Sequence, residues 1–118
     1  MNPNPAQPPP GTPIAQLGEL SDPGAVCLAF AAGAARFSLI LVRQGGQVFA
    51  WENRCPHARF PMERLDGSVI LQDGRFLVCA AHGASFRCDT GKSVGGPGDG
   101  AGLTAVPITL DGETVRIG

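Results

Sequence analysis

The stretch FSLILVRQGGQVFAW, residues 37–51, decides the fold class. Its first six residues form a β-branched and aliphatic run of strand length. Gln44-Gly45-Gly46-Gln47 follows, and a glycine pair supplies the positive φ that a tight hairpin turn requires. Residues 48–51 (VFAW) then resume the apolar run. Two strands joined by a turn are predicted, with Phe49 and Trp51 assigned to the core.

Working outward, residues 25–30 alternate, with Val26, Leu28 and Phe30 on one face and Cys27 and Ala29 on the other. Residues 31–35, centred on Gly33, read as a reversal into residue 37. Downstream, residues 75–79 (RFLVC) follow the turn Gln72-Asp73-Gly74, and Phe86 precedes the turn Asp89-Thr90-Gly91. Residues 106–110 and 114–117 read as a hairpin around Asp111-Gly112. No stretch combines sustained helical periodicity with a cap, and residues 62–65 offer at most one helical turn. Short strands at this spacing predict an all-β fold, a small antiparallel β-sandwich or barrel. Two regions are expected to interrupt the strands, 53–65 and 80–102. A Cys/His pair marks the start of each, Cys55/His57 and Cys79/His82, so the candidate ligands are placed in two loops at one end.

The composition narrows the function classes. Apolar residues make up 43% of the 118-residue chain and charged residues 16%, which suits one globular core. A net charge of −1 argues against a general nucleic-acid binder. No apolar run approaches the roughly 18–20 residues that span a bilayer. The start shows no basic segment followed by an apolar one, so a cytoplasmic location is the default expectation. Residues 1–13 hold six of the eleven prolines and a single aliphatic side chain, Ala6. They are expected to form a flexible, solvated leader, with a proline-dependent docking segment as the less favoured reading. Residues 14–118 would form the one domain.

Four cysteines in a short chain suggest disulfides first, but nothing points to an oxidising compartment. Cys55 lies two residues before His57 and Cys79 three before His82, and these are the only two histidines present. Two loops thus each offer one soft thiolate and one imidazole. Cys-x-His is tighter than the usual structural zinc spacing. It suits a binuclear centre, in which the cysteines hold one iron and the histidines the other.

At these residues the chain resembles the Rieske family, whose pattern is Cys-x-His followed after a variable interval by Cys-x-x-His-Gly. Here Cys55/His57 and Cys79/His82-Gly83 match it, with 21 residues between His57 and Cys79. That interval implies an extended hairpin over residues 67–74. Phe86, the Asp89-Thr90-Gly91 turn and Gly96-Pro97-Gly98 resemble the family's following aromatic, turn and proline loop. The resemblance implies one [2Fe–2S] cluster per chain, with Cys55 and Cys79 on the inner iron and His57 and His82 on the outer, solvent-facing one. High-potential respiratory members place a serine two residues after the second histidine and a tyrosine four after it. They also carry loop-stapling cysteines beside the ligands. Here Ala84 and Phe86 lack the hydroxyls, and Cys27 and Cys88 lie outside both ligand loops. Within the range of about −150 to +300 mV for such centres, a potential at the low end is expected. Ser85 is the one hydroxyl able to change that.

Cys27 and Cys88 themselves are read as small hydrophobes rather than ligands. Arg54, Arg59 and Arg64 form either a solvated rim or a docking patch for an acidic partner. Phe60 and Met62 offer an apolar wall for the cluster or a contact surface. The glycines after Gly91 are read as loop geometry, since no phosphate-binding pattern accompanies them. The function implied is a Rieske-type ferredoxin, a one-electron carrier and not itself an enzyme. It would run as a monomer from a reductase to an oxygenase or another terminal enzyme. The alternatives are a small Rieske-like subunit of a nitrite-reductase-type complex and a zinc-holding interaction module.

Overall fold

The computed structural model describes residues 5–54, 61–81, 83–95 and 102–118. Ten strands carry the chain: β1 (Pro13–Gln16), β2 (Gly24–Ala32), β3 (Ala35–Gln44), β4 (Gln47–Glu52), β5 (Ile70–Gln72), β6 (Phe76–Val78), β7 (Ser85–Arg87), β8 (Ser93–Gly95), β9 (Ile108–Asp111) and β10 (Thr114–Ile117). One 3-10 turn, Leu17–Glu19, is the sole helical element among the described residues. No helix among them is long and apolar enough to cross a membrane.

The strands form three antiparallel sheets, ordered β1-β10-β9, β2-β3-β4 and β5-β6-β7-β8. The sheet β2-β3-β4 separates two apolar cores. Phe37, Leu39 and Leu41 of β3 pack with Val115, Ile117 and Val106, while Ile40 and Val42 pack with Leu77, Cys79, Ala84 and Phe86. Burial on both faces explains why residues 37–42 read as a nearly continuous apolar run instead of an alternating one. β4 divides its residues by the same parity, Val48 and Ala50 toward one core and Phe49 and Trp51 toward the other.

The Gln44–Gln47 turn forms as expected, with φ of 58° at Gly45 and 81° at Gly46. Both Asp22 carboxylate oxygens accept from this turn, at 2.8 Å from the Gly45 amide and 2.9 Å from that of Gly46. A second hairpin, β5 to β6, turns through Asp73 (φ 55°) and Gly74 (φ 66°). The Gln44 side-chain amide donates to the Gly74 carbonyl at 2.8 Å, which fastens this turn to the central sheet.

Three observations refine the expectations. Within residues 5–12, Pro5, Pro9, Pro10 and Gly11 are exposed, while Ala6 is buried in the core beside β10 and the Gly11 amide donates to Ile117 O at 2.7 Å. Backbone pairing to β10 is available to this segment because its prolines lie outside the bonded positions. Residues 62–65 make no helical turn: the Arg64 amide donates to Ser68 O at 2.8 Å and its carbonyl accepts from the Gly67 amide at 2.9 Å, so the chain reverses there through a tight turn. The region 80–102 is not one long interruption, since it contains β7 and β8. Both strands are only three residues long and escape detection by periodicity.

Candidate metal centre

Of the four candidate ligands, Cys79 lies within the described residues; Cys55, His57 and His82 lie outside them, as does Gly96-Pro97-Gly98. Cys79 sits directly after β6, where the β6–β7 hairpin turns. Its amide donates to Ala84 O at 2.8 Å, and its carbonyl accepts from the Gly83 amide at 2.9 Å. The turn therefore closes on itself at both ends. Gly83 has φ of 79°, which favours glycine, and a Cβ there would meet no heavy atom within 4 Å. The backbone conformation by itself calls for glycine at this corner.

Cys79 is 1% exposed and packs among Ile40, Met62, Leu77, Ala84 and Phe86. A sulfur so placed has apolar walls and little water, as suits a thiolate whose charge a metal neutralises. Alternation along β7 puts Ala84 and Phe86, each 0% exposed, on the same inner face. Ser85 points the other way, and its hydroxyl donates to Gly83 O at 3.2 Å. The wall beside Cys79 thus takes no hydroxyl from residues 84–86. Among the described residues, no three His, Cys, Asp or Glu side chains gather to hold a metal.

The strand leading to Cys55 ends at Glu52, whose amide donates to Thr104 O at 2.8 Å. Beyond it stands a residue that pattern reading missed. Asn53, 8% exposed, accepts the Met62 amide on Oδ1 at 2.7 Å. Its Nδ2 faces Glu63 Oε1 at 2.6 Å, Ser38 Oγ at 3.0 Å and Cys27 Sγ at 3.2 Å. The signal available in the sequence was an asparagine at a strand end two residues before a candidate ligand, a type that bonds local backbone readily. Met62 in turn accepts the Ala80 amide at 3.1 Å, so the return from the first ligand loop rests on the second.

Behind the hairpin, Trp51 Nε1 donates to Cys88 O at 2.9 Å, and the indole lies against Gly91. Cys88 is fully buried, and burial pushes its thiol pKa up. Cys27 is part-exposed and bonded to Ser38 and Asn53. The small-hydrophobe reading holds for Cys88; Cys27 is a polar-network member instead.

A search for relatives agrees with this architecture. The family model of the Rieske [2Fe–2S] domain matches residues 12–108. The ferredoxin subunit of 3-phenylpropionate/cinnamic acid dioxygenase from Shigella boydii serotype 4 (strain Sb227) is 30% identical over 79 residues, covering 67% of this chain and 70% of that one. The structure of a Sphingomonas yanoikuyae B1 ferredoxin is similar with a TM-score of 0.66 and 26% identity, over 89% of this chain and 94% of that one. The terminal oxygenase of carbazole 1,9a-dioxygenase from Novosphingobium sp. KA1 shares the fold, with a TM-score of 0.71 and 21% identity over 89% of this chain, which spans 28% of the oxygenase. With the family model covering most of its length, the chain belongs to the Rieske [2Fe–2S] domain family.

Proposed function

We propose that this protein is a ferredoxin-type one-electron carrier that takes electrons from a reductase and delivers them to an oxygenase or another terminal enzyme. The observation that carries this reading is its likeness, over about two thirds of both chains, to a ferredoxin subunit of a dioxygenase. The family's cofactor is a [2Fe–2S] cluster. Cys55 and Cys79 would hold one iron as thiolates and His57 and His82 the other through ring nitrogens. When bound, the cluster supplies a single-electron couple.

The residues around Cys79 have three tasks. Ile40, Leu77 and Phe86 keep water from the sulfur-ligated side. The hairpin bonds of Cys79, Gly83 and Ala84 fix the backbone from which that ligand projects. Ala84 and Phe86 withhold hydroxyl donors, and fewer hydrogen bonds to the sulfurs leave the oxidised state favoured. The carrier works as a monomer in the cytoplasm and is not itself a catalyst.

Anaerobically purified protein should contain iron and inorganic sulfide, absorb in the visible and give a Rieske EPR signal when reduced. A colourless, zinc-loaded protein would end this reading. Protein-film voltammetry should find a midpoint potential below zero, and a value well above zero would show that the missing hydroxyls do not set it.

A further inference from the structure

We infer that Asn53 is a positioning residue for the first ligand loop, closing it with its side-chain amide; the inference rests on the proposal that Cys55 and His57 hold the cluster. The amide's orientation is dictated by its neighbours. The Met62 N–H can only donate and the Glu63 carboxylate only accept, so Oδ1 faces the first and Nδ2 the second. Asn53 is itself fixed from below, its backbone amide donating to Ser38 O at 2.9 Å. One side chain anchored on β3 therefore holds both ends of residues 54–61 together.

The reach of this clamp exceeds the first loop. Met62 is fully buried, and its carbonyl bonds the Ala80 amide next to Cys79. Asn53, Met62 and Ala80 form one hydrogen-bonded series running from the loop that carries Cys55 to the loop that carries Cys79. A two-iron centre with ligands from both loops needs their separation held, and this series is what holds it. Alanine at 53 would leave a buried Met62 amide without its acceptor and release the chain at Met62. Aspartate would keep that acceptor but lose the donor and set a second carboxylate against Glu63.

The test compares cluster release to a chelator, followed by bleaching of the visible band, and the EPR g values of the reduced protein. Asn53→Ala should release the cluster roughly tenfold faster or more, the scale usual when an outer-shell partner of a metal ligand is removed. Its g values should also shift. Val115→Ala, in the opposite core, should lose thermal stability yet keep the wild-type release rate and g values. Glu63→Ala keeps the Met62 bond and should fall between wild type and Asn53→Ala. It carries the test if Asn53→Ala does not fold. Unchanged release and g values in Asn53→Ala, or failing that in Glu63→Ala, would overturn the inference, as would equally fast release from Val115→Ala. Wild-type protein without iron and sulfide would instead overturn the reading of the site.

Discussion

Gly91→Ala separates two costs that usually arrive together. Gly91 has φ of 74°, and a Cβ there would stand 2.7 Å from Trp51 Cζ3 and 2.9 Å from Cη2. The left-handed backbone alone costs an alanine about 1–2 kcal/mol. Forcing a methyl into a packed wall adds about 1–3 kcal/mol, because Trp51 is held by its bond to Cys88 O and cannot simply swing away. The sum is about 2–5 kcal/mol. Gly46→Ala serves as the comparison: φ is 81°, nothing lies within 4 Å of its Cβ, and the backbone cost stands alone. For a chain of this size 1 kcal/mol moves Tm by about 3–6 °C, so Gly91→Ala should lower Tm by roughly 15 °C and Gly46→Ala by roughly 6 °C. Thermal unfolding followed by far-UV circular dichroism reads both. Trp51→Phe removes the outer ring atoms and opens the space, so the double variant should be more stable than the sum of the two single losses by about 1–2 kcal/mol. Strict additivity, or equal losses at positions 91 and 46, would refute the contact argument.

Two further outcomes follow from the thiols and carboxylates. Cys88 is buried with its thiol pKa raised, so it stays neutral through pH 8 and should be alkylated only on unfolding. Part-exposed Cys27 should react first in native protein, and peptide mass spectrometry finding equal rates would contradict that. Asp89 is held below the usual carboxylate range chiefly by Arg87, whose guanidinium donates to it at 3.0 and 2.9 Å. A lowered carboxyl pKa contributes stability that is complete above the unfolded value, about 3.9, and is lost as pH falls through the folded value. Asp89→Asn should therefore have a lower urea midpoint than wild type at pH 6, and the gap should narrow as pH falls below the unfolded value. A gap that persists in acid would assign the loss to something other than this charge.

The long strands were legible because each had a pattern no other structure explains: alternation in β2, a two-faced apolar run in β3, a glycine pair before β4. The short ones were not. β5, β7 and β8 have three residues each, too few for a period, and are strands because β6 pairs with β5 and β7, and β7 in turn with β8. The docking of Ala6 is invisible for a related reason, since a proline-rich segment looks alike whether solvated or laid against a neighbouring strand. At the site, Cys79 stood out by its spacing from His82, but which way Ser85 turns was open until the pairing of β7 fixed it. Asn53 could not, because its importance lies in partners 9–26 positions away, Cys27, Ser38, Met62 and Glu63.

The two-sided burial of β3 has a consequence for how this protein can change. Neighbours in the chain, Leu41 and Val42, belong to different compartments, one walled by β9 and β10 and the other by the hairpin that carries Cys79. Changes at Ile40 and Val42 alter the surroundings of the sulfur-bearing hairpin, while changes at Phe37, Leu39 and Leu41 alter the opposite core. All five are buried, so either set costs stability, but only the first reaches the hairpin that carries Cys79.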